Sequence, residues 1–288
     1  MSDEHSFIVS ADWLQERLDA PGMAILDASW YLPAVGRNAR AEYEAGHIPG
    51  AVFFDHDLVV DPDSALPHAL PAPNVFAQFA GAMGVAADDT IVVYDGPGLL
   101  SAPRAWWMFR AMGAKTVFVL DGGLDRWKAE GRPVTAEPTK IAPNLFTVDF
   151  DAGAVAKLDE MSGIVASGGP QVVDARSKGR FEGTEPEPRP GLRGGHMPGA
   201  KSLPFTALSE NGSLLPPARL RKAFEAAGVD LSRPVVTSCG SGVTASVLTL
   251  ALETLGHRDH RLYDGSWAEW ASQADTPAET GPATVKGS

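Results

Sequence analysis

Short apolar runs rich in β-branched residues alternate along this chain with longer stretches whose apolar positions recur every three or four residues. Residues 25–26, 91–94 (Ile91-Val92-Val93-Tyr94) and 117–120 (Val117-Phe118-Val119-Leu120) are of the first kind, as are 172–173, 235–237 and, less cleanly, 261–263. A run that is apolar at every position marks a strand buried on both faces. Stretches 75–83, 105–112, 124–129, 217–227, 243–255 and 267–272 carry the helical spacing. Strands alternating with helices predict an α/β fold of parallel sheets covered by helices on both faces. In such sheets ligands bind beyond the carboxyl ends of the strands.

The pattern occurs twice. Leu26-Asp27-Ala28-Ser29 recurs as Val173-Asp174-Ala175-Arg176, and His47-Ile48-Pro49-Gly50-Ala51 as His196-Met197-Pro198-Gly199-Ala200. Asp121-Gly122-Gly123-Leu124-Asp125-Arg126-Trp127 recurs as Asp264-Gly265-Ser266-Trp267-Ala268-Glu269-Trp270. Three matches at nearly the same separation indicate a tandem duplication. The expected division is an N-terminal domain at 1–135, a linker at 136–150, a C-terminal domain at 151–275 and a flexible tail at 276–288. The linker is rich in Pro and Thr, and the tail has little apolar surface to dock.

Composition narrows the function classes. The 288 residues are 44% hydrophobic and 21% charged, as in a globular protein. A net charge of −12 and a pI near 5.0 argue against nucleic acid or an anionic membrane as partner. No apolar run reaches membrane-spanning length, and the acidic start, residues 1–6, lacks the features of a secretory signal. One cysteine allows no intrachain disulfide, so the cytoplasm is the expected compartment. Seven scattered histidines give no metal-ligand spacing, so neither metal nor cofactor is expected. The repeated His47 and His196 fit a fold-maintaining role before a Pro-Gly turn. Trp106, Trp107, Trp127, Trp267 and Trp270 fit core packing.

Candidate chemistry centres on the one cysteine. Cys239 ends the apolar run 235–237 and opens the turn Gly240-Ser241-Gly242-Val243-Thr244, after which a helical stretch begins at once. The first amides of a helix have no partner within it. With the helix dipole they stabilise an anion placed there. A cysteine in that cradle is expected as the reactive thiolate. In the first half, Thr90-Ile91-Val92-Val93-Tyr94-Asp95 lines up with Pro234-Val235-Val236-Thr237-Ser238-Cys239, so Asp95 takes the cysteine's position. That half is expected to be an inactive copy.

With its duplicated framework and this loop, the chain resembles the tandem rhodanese-domain sulfurtransferases over nearly its whole length. The loop from Cys239 to Thr244 is similar to that of the branch using 3-mercaptopyruvate. So are the segments 183–189, 101–110 and 263–267. Two rhodanese-like domains are therefore implied, with Cys239 as the sulfur carrier. The resemblance further implies a double displacement, in which mercaptopyruvate leaves its sulfur as a Cys239 persulfide and departs as pyruvate. Thioredoxin, a small thiol or cyanide would then take the sulfur. Arg180 and Arg189 match the family's substrate-binding arginines, whose planar guanidinium groups suit a carboxylate. The loop residues Gly240, Gly242, Val243 and Thr244 would also contact substrate. A Ser–His–Asp set maps onto Ser241, His68 and Asp57, so that the first half would lend two residues to the second.

Three other readings stay open at this level. A cysteine-dependent phosphatase uses a similar cradle but ends its loop with an arginine, where Ala245 stands here. A non-catalytic sulfur carrier would not need the arginine pair. A thiosulfate sulfurtransferase differs only in its donor, and typically carries cations just after the cysteine.

Overall fold

The computed structural model describes residues 7–283. In chain order the first half comprises β1 (Ile8–Val9), α1 (Ala11–Gln15), β2 (Met23–Asp27), α2 (Ala39–Ala45), β3 (Ala51–Phe53), α3 (Pro73–Ala82), β4 (Thr90–Tyr94), α4 (Ala102–Ala111), β5 (Val117–Leu120) and α5 (Gly123–Ala129). The second comprises β6 (Val155–Ala156), α6 (Leu158–Ser167), β7 (Gln171–Asp174), α7 (Lys178–Glu182), β8 (Lys201–Ser202), β9 (Ser209–Glu210), β10 (Ser213–Leu214), α8 (Pro217–Ala226), β11 (Val235–Ser238), α9 (Ala245–Thr254), β12 (His260–Tyr263) and α10 (Ser266–Ser272).

Each half builds a five-stranded sheet, ordered β1-β5-β4-β2-β3 in one and β6-β12-β11-β7-β8 in the other. Every pairing in the two sheets is parallel. The two orders are the same, so the duplication read from the sequence extends to topology. The fully apolar runs became the central strands β4 and β11, buried along almost their whole length. Asp95 and Cys239 follow directly, at the carboxyl end of the middle strand of each sheet.

By its contacts the chain divides into two units that differ slightly from the halves. The first runs to Asp63 and adds Leu70–Asp151 and Asn211–Leu214. The second takes Ser64–Ala69, Ala152–Glu210 and the residues from Leu215 onward. In the first unit Leu14, Tyr94, Leu120 and Trp127 centre one core. In the second Met161, Phe181, Tyr263, Trp267 and Trp270 centre another. All five tryptophans assigned to packing are buried.

Both repeated histidines hold chain segments together. The His47 ring stacks on Tyr43 at 4.1 Å and its Nδ1 lies 2.8 Å from the Tyr43 carbonyl oxygen. His196 does the same with Phe181, at 3.8 and 2.9 Å. Each also forms an isolated antiparallel bridge, to Thr135 and to Glu279.

That second bridge bears on the tail. Residues 276–281 are fastened rather than loose: His196 and Glu279 exchange backbone hydrogen bonds of 2.8 and 2.9 Å, and the Trp270 indole donates to the Pro277 carbonyl at 2.8 Å. Residues 284–288 of the expected tail lie outside the described residues. The stretch 136–150 is also more than a tether. Phe146 is buried against Phe76 and Phe109, and the Asn144 amide donates to Gly81 at 2.9 Å.

Candidate active site

The loop after β11 is tied down from one side by the start of α10. The Trp267 amide donates to the Cys239 carbonyl at 3.0 Å and the Ala268 amide to the Gly240 carbonyl at 2.9 Å. The first unit repeats this arrangement, with the Leu124 and Asp125 amides donating to Asp95 and Gly96, each at 2.9 Å. In the second unit a side chain joins in. Ser266 Oγ accepts the Cys239 and Gly242 amides, each at 3.1 Å, and donates to the Tyr263 carbonyl at 2.8 Å. Gly242 makes the turn in the left-handed region, at φ 79°, which a residue without Cβ adopts at no steric cost. Cys239 is left buried, 2% exposed, with α9 starting at Ala245. The sequence pattern puts the helix start at 243. Val243 and Thr244 instead belong to the loop, and with Ala245 they carry amides that have no partner within the helix.

What such a loop can hold is visible in its first-unit copy. The Asp95 carboxylate sits at the N-terminus of α4, where Oδ2 accepts the amides of Leu100 (2.9 Å), Ser101 (2.7 Å) and Ala102 (2.8 Å). Burial pushes the Asp95 carboxyl above the ordinary carboxylate range, while these amides pull the other way. Counted from the first residue of each helix, the three donors correspond to Val243, Thr244 and Ala245 behind Cys239.

A chain of alternating charges leads from β7 toward the loop. Asp174, the last residue of β7, pairs with Arg176 (Nη2–Oδ2 2.7 Å), and Arg176 Nη1 reaches Glu187 Oε1 at 2.8 Å. Glu187 then grips Arg180 of α7 twice, Oε2 to Nη2 at 2.6 Å and Oε1 to Nε at 3.2 Å. Arg176 and Asp174 are wholly buried and Glu187 nearly so, while Arg180 keeps 18% of its side chain exposed. The Arg180 guanidinium lies over the cysteine loop. A Cβ placed on Gly240 would stand 2.7 Å from its Nη2. Arg189 is half-buried between Pro188 and Pro190, two residues beyond Glu187.

Ser241 and His68 also meet. His68 Nδ1 lies 3.0 Å from Ser241 Oγ, both residues are buried, and His68 belongs to the second unit through the segment Ser64–Ala69. Its backbone is left-handed, φ 58°, a conformation that costs a non-glycine residue energy and is concentrated at functional positions. Asp57 lies in the first unit, exposed, where its Oδ1 accepts the Trp30 indole N–H at 3.1 Å. Among the described residues, no group of three His, Cys, Asp or Glu side chains is placed to hold a metal ion.

The structure therefore gathers Cys239, its loop, Arg180, Ser241 and His68. It adds Ser266, Glu187, Arg176 and Asp174, which sequence reasoning did not single out. A signal existed for two of them. Ser266 and Arg176 stand where the first repeat has Gly123 and Ser29, so polarity is gained in the cysteine-bearing half alone.

A family model described as Rhodanese-like domain matches the chain twice, at residues 10–130 and 157–273. The chain belongs to the tandem rhodanese-domain sulfurtransferases. Among its relatives, the 3-mercaptopyruvate sulfurtransferase of Homo sapiens is 46% identical over 274 residues, spanning 93% of this chain and 92% of that protein. The enzyme of the same name from Escherichia coli K12 is 42% identical over 275 residues, spanning 95% and 98%. The thiosulfate sulfurtransferase of Cricetulus griseus is similar at 43% over 281 residues, spanning 95% and 94%. Of solved structures, SseA from Escherichia coli superposes with a TM-score of 0.83 at 41% identity, covering 91% of this chain and 99% of its own.

Proposed function

We propose that this sulfurtransferase moves the sulfur of 3-mercaptopyruvate through a persulfide on Cys239 to a thiophilic acceptor, releasing pyruvate. The observation that carries this reading is the Arg180 guanidinium over Gly240, next to a cysteine loop whose sister copy holds a carboxylate on three amides. An α-keto acid brings a carboxylate for which the guanidinium supplies paired donors. The loop supplies a cradle for the sulfur anion.

The chemistry is a double displacement. Thiolate Sγ attacks the donor sulfur, forming an S–S bond, and the C–S bond breaks with its electron pair leaving on carbon as pyruvate enolate. A proton then converts the enolate to pyruvate. In the second step an acceptor thiolate, on thioredoxin or a small thiol, or cyanide, attacks the outer sulfur and Cys239 leaves as thiolate again. Donors aimed in advance at a developing anion are worth on the order of 2.7–4 kcal/mol each in comparable sites. Ser241 and His68, 3.0 Å apart, can move the proton. Asp57 is assigned as the carboxylate of this relay by resemblance to the family. Arg189, Val243 and Thr244 are assigned to substrate by the same route. No helix among the described residues is long and apolar enough to cross a membrane, and the cytoplasm is the compartment this reading favours.

Mass spectrometry of the intact chain after donor addition tests the reading. Wild type should gain one sulfur atom from mercaptopyruvate and release pyruvate. Cys239→Ser should do neither while melting within a few degrees of wild type. Faster turnover on thiosulfate would reassign the donor, and no added sulfur from either donor would end the proposal.

A further inference from the structure

Ser266, like His68, lies beside the Cys239 loop in a backbone conformation that costs a non-glycine residue energy. It is fully buried, and its φ of 49° lies in the left-handed region. At the matching place in the other repeat stands Gly123, φ 60°, the residue type that this backbone favours. The fold therefore needs the backbone turn in both copies. Only the copy with the cysteine puts a side chain there, and it does so at the expense of strain.

The hydrogen bonds show what the hydroxyl does. In the first unit a single oxygen of the Asp95 carboxyl, Oδ2, takes the three amides at the start of α4. In the second unit Ser266 Oγ accepts the amide of Gly242 together with that of Cys239, a pair of bonds for which the first unit, with Gly123 at that place, has no side chain. The hydroxyl proton goes to the Tyr263 carbonyl, which fixes the oxygen with both lone pairs facing the loop. We infer that Ser266 is a positioning residue for sulfur transfer: its hydroxyl ties the Cys239 and Gly242 amides together, so that the Val243, Thr244 and Ala245 amides are left to face the sulfur. It does not touch the donor. It sets the shape of the loop that carries the persulfide.

This inference rests on the sulfur-transfer reading above, and two readouts keep the two separable. The first is single-turnover persulfide formation with mercaptopyruvate, together with steady-state kcat and KM. The second, which needs no sulfur donor, is the rate at which iodoacetamide alkylates Cys239, the one thiol in the chain. Ser266→Gly restores the residue that the first repeat uses, so it should melt at or above the wild-type temperature. It should nonetheless form persulfide at least tenfold more slowly, with KM within twofold of wild type and alkylation several-fold slower. Ser266→Ala should lose as much rate and also melt lower, because it keeps the unfavourable backbone without the hydroxyl. If Ser266→Gly stays within twofold of wild type in both rates, the inference is wrong. A rate loss matched by a lower melting temperature in the glycine variant would overturn it too, since the role would then be structural. Should wild type gain no sulfur, the functional reading fails on its own, and the alkylation rates still decide the role of Ser266.

Discussion

Glu187 holds two guanidinium groups at once, and its loss should be felt at both. With Glu187→Gln, Arg176 keeps Asp174 but Arg180 loses its charged partner. The freed guanidinium should bind the donor's carboxylate in a less defined pose. We expect KM for mercaptopyruvate to rise about tenfold and stability to fall by about 2 kcal/mol, the scale of one hydrogen bond to a charged group. Steady-state kinetics and denaturant titration check the two effects. In the first repeat Ser29 stands in the place of Arg176, so Asp27 has a hydroxyl two residues on where Asp174 has a guanidinium. Burial there pushes the Asp27 carboxyl up to about 6, against hydrogen bonds from Ser29 and Tyr94 that pull it down. A carboxyl raised in this way stabilises the folded chain while protonated. Its contribution is complete below the ordinary value of 3.8 and is lost as pH rises through about 6. On the order of 2–3 kcal/mol is at stake. Between pH 4 and pH 7, wild type should therefore lose stability relative to Asp27→Asn. Parallel pH profiles for the two proteins would refute this.

The loop between β11 and α9 shows how a small element depends on the absence of side chains. A methyl group on Gly240 would press on the end of the flexible Arg180 side chain, not on rigid backbone. Gly240→Ala should therefore fold normally, displace the guanidinium and raise donor KM about tenfold with a smaller change in kcat. A melting temperature several degrees lower would show that the loop, not Arg180, had given way. Elements also differ in how far the sequence announces them. The central strands β4 and β11 and the long helices α3, α4, α8 and α9 were legible, because each buries a run of apolar residues with a clear period. The edge strands β1, β3, β6 and β8 were not, since two or three residues cannot display a period. The short helices α1, α2 and α7 were missed for a similar reason, and the ten-residue α6 because its polar positions blur the stripe. Cys239 and Arg180 could be picked out by chemistry and resemblance. Ser266 and Glu187 act through other residues, and only the folded arrangement displays that.

At the scale of the whole molecule, duplication has produced two loops at the same place in two sheets of one topology, one ending β11 at the cysteine and the other closed by three amides on a buried aspartate. Asp95→Ala would leave three buried amides without an acceptor. The loss should be on the order of 3–5 kcal/mol, seen as a lower melting temperature that formate or acetate partly restores. No recovery with either ion would show that the space collapses instead of remaining open to a small carboxylate. The two copies are also unequal in what they own. Residues 64–69 come from the first half of the sequence but belong with the second unit, and they carry the imidazole that Ser241 meets. A fragment cut at the sequence boundary, starting at residue 152, would keep the thiol and Arg180 but forfeit that imidazole. The half without a cysteine thus encodes a buried part of the cysteine-bearing unit, so the chain cannot be divided at its sequence boundary without cost to that unit.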